Sequence, residues 1–348
     1  MIKKGIIWLF AFVSAAGLYA QEDDFSQFML SSIYMNPAYA STYTDLAVNM
    51  NYKMQALQEA AIQTTQVSLV FPLKADAVSD NIAGVGLMAF NQNIDDGLFT
   101  ENGLFLTYSQ NFSLGLLGSD LIAVGVQGGY SRSSFSPSNF QWGSQYSRYV
   151  FDGYNNFSPA PVSEFDNSAN RITLNVGAMY YYNRKRNYLL HNYSAFSGVA
   201  IYNVNRPNDS FSFNGKDKRP MIIKYHGGME VRTGNLYVLP NMLFYLSRGK
   251  VSTIVGSHFA YSFVSTARFT SNTKGVQLLL GSWYRLRESF TLLGGLQVNS
   301  LAIRASYDMN SNLFVDNEAI SVTPAYEISL TYILSGDQTL RKMNNALF

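Results

Sequence analysis

Apolar and polar residues alternate one for one along most of this chain, and that constrains its fold more than any other feature. From Arg171 to Asn183, Ile172, Leu174, Val176, Ala178, Tyr180 and Tyr182 stand against Thr173, Asn175, Gly177 and Asn183. From Val276 to Leu286, Val276, Leu278, Leu280, Tyr284 and Leu286 stand against Gln277, Gly281, Trp283 and Arg285. Leu301–Asn310 and Val322–Tyr332 repeat the pattern. Successive side chains of a strand point to opposite faces, so each segment is a strand with one apolar and one polar face. The segments run about 9 to 13 residues, longer than the five or six usual in a soluble sheet and suited to a tilted membrane strand. Aromatic residues gather near their ends, as in Tyr180-Tyr181-Tyr182, Phe244-Tyr245, Trp283-Tyr284 and Tyr332, where an interfacial girdle needs an apolar ring with a polar tip.

Composition narrows the function. Charged residues are 14% of the 348, aromatic residues 15%, and the formal net charge is +2. About 25% charge is usual in a soluble domain, so something other than water is expected to cover much of the surface. No basic run exceeds Arg184-Lys185-Arg186, which argues against nucleic acid as a partner. Cysteine is absent, which removes disulfides, thiolate metal sites, cysteine nucleophiles and a cysteine-borne lipid anchor. The three histidines, His191, His226 and His258, share no metal-ligand spacing. No nucleophile elbow, His-Glu-x-x-His or phosphate loop is found, so the residues point to no enzyme, metal or cofactor.

Lys3-Lys4, the apolar run Gly5 to Tyr19 and the break at Ala20-Gln21 read as a secretory signal peptide, residues 1–20. No later segment reaches 18 consecutive apolar residues, so no helical span is expected after it. The exported chain is then either a β-protein soluble outside the cell, such as a sandwich or propeller, or an outer-membrane barrel. Low charge, long strands and aromatic ends together favour an all-β, transmembrane antiparallel barrel of about fourteen strands over 45–334. An N-terminal periplasmic or plug segment, 21–44, precedes it and a tail, 335–348, follows. Fourteen segments are read at 45–56, 64–73, 81–93, 100–113, 120–131, 171–183, 194–203, 221–232, 236–246, 251–262, 274–286, 290–298, 301–310 and 321–334. With strand one running outward, the two longest connections, 132–170 and 204–220, both lie on the outer side.

The polar faces then line the lumen. Lys224, His226, Glu230 and Arg232 share a side of the eighth strand, Arg285 and Arg287 a side of the eleventh; Arg304 and Asp308 lie inward on the thirteenth and Glu327 on the fourteenth, within reach of Arg304. Mixed signs argue for a network that pairs internally or with a plug, rather than a selectivity ring. Gly84, Gly86, Gly103 and Gly125 on inward faces allow another backbone to come close.

The ordered motifs resemble a family. Phe25-Ser26-Gln27-Phe28, then Asn36-Pro37-Ala38-Tyr39-Ala40, then Asn51-Tyr52-Lys53-Met54-Gln55 look like the opening of the PorP/SprF family of type IX secretion and gliding motility. Gly198, Asn205-Arg206-Pro207-Asn208, His226-Gly227-Gly228, Leu239-Pro240-Asn241, Ser306-Tyr307-Asp308-Met309-Asn310 and Tyr326 to Tyr332 follow in order. Departures include Ser41 where the family usually has Gly and Ala56 where Trp is common. The resemblance implies a barrel similar to the long-chain fatty-acid transporter type, embedded in outer-membrane lipid. It implies a non-enzymatic role with type IX secretion components, binding and helping to deliver or anchor a secreted surface protein such as a gliding adhesin. Phe135, Phe140, Trp142, Tyr146, Tyr149, Phe151, Tyr154 and Phe157 in the 132–170 connection are the expected anchors for that partner. A pore or transporter for a hydrophobic or small solute is the alternative, since fold alone does not decide function.

Overall fold

A computed structural model describes residues 25–57, 60–74, 81–95, 97–114, 120–136, 146–149, 168–183, 193–211, 215–263, 275–286, 288–310 and 324–334. Fourteen strands follow one another: β1 Leu46–Leu57, β2 Ala60–Lys74, β3 Asn81–Ile94, β4 Phe99–Leu114, β5 Asp120–Phe135, β6 Ser168–Tyr182, β7 Tyr193–Tyr202, β8 Ile222–Thr233, β9 Leu236–Ser247, β10 Lys250–Phe263, β11 Val276–Arg285, β12 Ser289–Val298, β13 Leu301–Asn310 and β14 Ala325–Leu334. Each pairs antiparallel with the next, and β1 pairs with β14 from Leu46↔Leu334 to Gln55↔Ala325, closing the barrel. Closure leaves no sheet edge, which membrane strands require because lipid offers backbone groups no hydrogen bonds.

The alternation sets which face looks out. On β4, Leu104, Leu106 and Tyr108 are exposed while Thr107 and Ser109 are fully buried; on β6, Ile172 and Leu174 are exposed while Arg171, Thr173 and Asn175 are buried. The apolar faces form the outer surface and the polar faces line the lumen. Adjacent aromatic residues therefore split between the two: Tyr180 and Tyr284 face out, whereas Tyr181, Tyr245 and Trp283 are buried inside. Only every second residue of those clusters can join an interfacial girdle, so the girdle is sparser than the clusters suggest.

The strands extend further than their sequence patterns. β5 continues to Phe135 and β6 begins at Ser168, which shortens the 132–170 connection, and β2 begins at Ala60 rather than 64. The polar ends Ser131–Ser134 and Ser168–Asn170 pair in the same ladder although their apolar alternation has faded. A short turn leads from β8 to β9, and β9 leads to β10 through Arg248 and Gly249, both at positive φ. Two such residues in a two-residue hairpin match the twist of the flanking strands. The segments 1–24, 184–192, 264–274 and 335–348, on which the expected signal peptide and the expected tail fall, lie outside the described residues.

Residues 25–45 run through the barrel's interior. Two 3-10 turns, Phe28–Leu30 and Pro37–Ser41, flank a single α-helical turn, Ser32–Met35. Pro37 opens its turn with a preset φ, and the Asn36 side chain caps it by accepting from the Ala38 N–H at 2.9 Å. Phe28, Ile33, Met35, Ala38, Tyr39 and Tyr43 form one buried cluster with inward residues of the wall, among them Val70, Met88, Phe105, Met179 and Trp283. Because Leu106 lies on the outer face of β4, Leu106→Arg is expected to lower stability by about 2–4 kcal/mol. Urea titration of the protein folded into lipid vesicles measures this, and a fully tolerated arginine there would contradict the lipid-facing assignment.

Candidate functional site: the lumen and its N-terminal segment

Two sets of polar contacts hold the inner segment. The first lies at the closing seam. The Ser26 N–H donates to Glu327 Oε2 at 2.8 Å, and the Gln27 N–H points at both carboxylate oxygens at 3.2 and 3.3 Å. The Ser26 hydroxyl donates to Asp308, which also accepts from Thr291 Oγ1 at 2.7 Å. The Gln27 amide donates to Ser306 Oγ at 2.9 Å and accepts from Ser329 Oγ at 2.8 Å. Strand alternation puts Ser306 and Asp308 of β13 and Glu327 and Ser329 of β14 on one inward surface, and the segment supplies backbone donors to the Glu327 carboxyl and a hydroxyl donor to that of Asp308, both out of water. A buried carboxylate is costly unless hydrogen-bonded and paired. Lys53 of β1 lies directly across the ladder from Glu327, and both are buried.

The second set lies across the barrel. The Asn36 amide nitrogen faces the carbonyls of Ala178 and Val199, each at 3.2 Å, and His226 Nε2 at 3.0 Å. Its amide oxygen is taken by Ala38, so the NH2, with two hydrogens to share among these three groups, faces the ring, whose Nδ1 lies 3.4 Å from the Tyr39 hydroxyl. Tyr39 stacks on His226 with ring centroids 5.3 Å apart. Burial, with Tyr181 and Tyr43 nearby, pushes the Tyr39 phenol well above its ordinary pKa, so it stays neutral. Between the two anchors Ser41 bonds Ser109 and Asn111 at 2.6 Å each, and Tyr202 donates to the Tyr34 carbonyl at 2.6 Å.

Glycine makes these approaches possible. A Cβ on Gly84 would overlap the Ala40 carbonyl, one on Gly125 would strike the Pro37–Ala38 peptide, and one on Gly177 would overlap the Asn36 amide. Gly86 abuts Ile33, whereas Gly103 faces Phe90 and Phe105 of the wall rather than the segment. All seven residues of the opening motif, Phe25, Gln27, Phe28, Asn36, Pro37, Ala38 and Tyr39, are buried here.

The remaining sequence-derived positions divide. Arg304 faces Ser329 in the register, not Glu327, and donates to Thr331 Oγ1 at 3.3 Å. A two-residue difference in strand offset, which keeps both side chains on the inward face, accounts for the altered pairing. Arg285 ends β11 and meets Glu288 at 3.6 Å, while Arg287 lies outside the described residues. Arg232 is at the β8–β9 turn, over the Tyr237 ring at 5.2 Å. Glu230 is buried on β8, and Lys224 sits 4.7 Å from the centre of the Tyr34 ring. Of the outer aromatics, Phe135 packs on Phe211 at 5.2 Å, and Tyr146 and Tyr149 are 63% and 91% exposed. Phe140, Trp142, Phe151, Tyr154 and Phe157 lie outside the described residues. Sequence reasoning missed a four-residue charge chain: Arg171 pairs with Asp209 and, at 2.8 Å, with Glu101, which also holds Arg219 at 2.8 Å. Burial acts to lower the Arg219 pKa, yet Glu101, with Asp209 and Tyr34, outweighs it and the net displacement is upward. Arg171 stood at the polar end of an alternating run and was the available signal. Among the described residues, no three His, Asp or Glu side chains cluster at metal-binding range.

A model of the family described as type IX secretion system membrane protein PorP/SprF matches residues 18–332. The chain belongs to the PorP/SprF family. It is therefore an outer-membrane barrel of the type IX secretion system, a class of secretion or transport barrels rather than enzymes. No curated protein matches it in sequence. Among solved structures it is similar to the Pseudomonas putida toluene transporter TodX, with 10% identity, 91% of this chain and 94% of that one covered, and a TM-score of 0.47. A Pseudomonas aeruginosa FadL homologue shows 10% identity, 92% and 96% coverage and a TM-score of 0.43. CdiB from Acinetobacter baumannii shows 8% identity and a TM-score of 0.41; the match covers 83% of this chain and 60% of that one.

Two outcomes follow from the contacts. Asn36→Ala removes the two amide hydrogens shared among the His226 ring and two wall carbonyls, at about 1–3 kcal/mol for each group left unsatisfied; a lower unfolding temperature of the purified barrel checks it. Gly84→Leu with Gly125→Leu expels the segment. The native chain has no cysteine, so Ser31→Cys reports position directly: maleimide is expected to spare it in the native background and to label it in the double variant.

Proposed function

We propose that this PorP/SprF barrel works closed, as an outer-membrane platform that binds a secreted surface protein of the gliding-adhesin kind and helps deliver or anchor it. The observation that carries this reading is the filled lumen: residues 25–45 are bonded to strands on opposite sides of the barrel. A segment held at both ends supports a binding role over a conduit. The exposed Tyr146 and Tyr149, together with Phe135 packed on Phe211, support an outer aromatic surface built from the 132–170 and 204–220 connections. In this proposal residues 1–20 direct export and are removed, and 25–44 acts as the plug. The periplasmic turns and the mouth of the plug meet the secretion machinery.

The test pairs two measurements. Tagged protein purified from detergent-solubilised native outer membranes is expected to bring down a large secreted protein, and deletion of 137–167 to lose it. In planar bilayers the intact protein is expected to conduct poorly and a variant lacking 25–41 to conduct. Recovery of the barrel alone, with steady conductance of the intact protein, would instead favour the pore for a small or hydrophobic solute.

A further inference from the structure

The inner segment has a direction, and the platform role makes no use of it. It joins the wall at Leu46, the first residue of β1, which pairs with Leu334, the last of β14. The C-terminal part of the segment stays at that rim. Asn111, near the end of β4, donates to the Ser41 carbonyl at 2.7 Å, and Asn81, the first residue of β3, donates to the Tyr43 carbonyl. The N-terminal part lies at the other rim. Ser26 and Gln27 are bonded to Glu327 and Ser26 to Asp308, near the start of β14 and the end of β13. Glu327 and Leu334 are about 23 Å apart along their strand, at about 3.3 Å per residue. With a strand tilt of about 40°, that is about 18 Å along the barrel axis, most of the roughly 25 Å apolar band of an outer-membrane barrel.

The connections identify the rims. The 132–170 and 204–220 connections leave from the rim near Asp308 and Glu327, and the short turns after β8 and β12 from the rim near Leu46. Long connections face the outside and short turns the periplasm. Ser26 is therefore at the outer level and Tyr43 at the periplasmic one. The way on from Phe25 also points outward. On the periplasmic side the lumen is filled by Phe28, Ile33, Met35 and Tyr39. Phe25 packs edge-on against Tyr34 at 5.5 Å, and Tyr34 borders a cavity of about 170 Å³ whose lining includes Glu101, Asn203 and Arg219 from the outer ends of β4 and β7 and the connection after β7. In the sequence Phe25 follows Gln21-Glu22-Asp23-Asp24. Carboxylates favour a hydrated mouth over a packed lumen. Fully extended, that stretch reaches about 14 Å, against about 7 Å from Asp308 to the end of β13.

We propose that residues 25–45 form a link across the outer membrane, joined to the wall at the periplasmic rim and with their free end, led by Gln21-Glu22-Asp23-Asp24, presented outside the cell. The two termini of the exported chain then lie on opposite faces of the membrane, although both ends of the barrel wall lie on the periplasmic one. Withdrawal of the segment into the periplasm draws its free end through the lumen, so a partner holding that end outside keeps the barrel closed. The inference rests on the removal of residues 1–20 proposed above and not on the identity of any cargo.

The native chain has no cysteine, so single-cysteine variants report position. On intact cells, a polymer-linked maleimide too large for outer-membrane pores is expected to label Asp23→Cys, as it labels the exposed outer position Tyr149→Cys. It is expected to spare Asn235→Cys, at the turn between β8 and β9, until the outer membrane is permeabilised. Glu22→Cys repeats the measurement with a second reporter, and heat-dependent migration on gels shows that each variant is folded. Labelling of both N-terminal cysteines only after permeabilisation, or not at all while Tyr149→Cys reacts, overturns the proposal, as does a reversed pattern of the two controls. The intact mass of the purified protein separates this failure from that of the export reading. Retention of residues 1–20 overturns both, whereas a processed chain labelled only from the periplasm overturns the direction of the segment alone.

Discussion

A fourteen-strand barrel is too wide for its own inward side chains to fill, and the rest of this structure depends on how the resulting space is occupied. Small barrels pack their interiors with side chains, whereas larger ones enclose cavities or channels. Here the chain supplies its own filling: a run of short turns with Phe28, Ile33, Met35 and Tyr39 packed against the wall. The segment is apolar enough to pack and too irregular to satisfy its own backbone. It therefore needs a wall with polar groups aimed at it, and the inward faces provide them. Barrel width, the segment's irregular turns, the inward glycines and the buried carboxylates are consequences of one requirement.

The two anchors differ in kind. At the seam the wall presents carboxyl groups and the segment donates: Glu327 and Asp308 accept from Ser26 and Gln27, with Lys53 opposite. Across the barrel all partners are neutral, and specificity comes from shape. Asn36 fits only because Gly177 and Gly198 leave room for the amide and for the imidazole that meets it. Removing one member of the first set strands a buried carboxyl oxygen; removing one of the second strands a carbonyl or a ring nitrogen.

Legibility in the sequence followed the range of the interactions. Strand number and order were readable because period-two alternation is local, and the fourteen patterned segments match the fourteen strands. Strand ends were read less well where alternation fades, as at Ser131–Phe135 and Ser168–Asn170, because backbone pairing continues without an apolar signature. Contacts separated by hundreds of residues left only compositional traces. The glycines at 84, 86 and 125 signalled a close approach, but nothing local tied Gln27 to Ser306, Glu327 and Ser329. The ordered motifs of the resemblance are the one signal that spans that distance. Phe25–Phe28 meets residues of the Ser306–Asn310 and Tyr326–Tyr332 runs, and Asn36–Tyr39 meets the one beginning at His226. Motifs that are weak singly occupy two contact surfaces. The pairing of Arg304 was misjudged because it depends on a strand offset that alternation does not encode.

Connectivity gives the inner segment a particular place in assembly. It immediately precedes β1, yet its first anchor is on β13 and β14, about as far along the chain as a contact can be: Ser26 and Glu327 are 301 residues apart. Those bonds cannot form before the last strand is in place. The second anchor needs only β3 to β8, which are made earlier. The hairpin topology makes each strand's pairing local, so the wall can grow strand by strand. Among the described residues, the β1–β14 ladder and the seam anchor are the contacts that join the two ends of the chain. Both lie at the same place, with Glu327 paired to Lys53 in the ladder and bonded to the segment within the lumen. Closure of the wall and seating of the segment's N-terminal end therefore share one residue, Glu327. A barrel that closed without the segment would leave the Glu327 and Asp308 carboxylates facing an empty lumen.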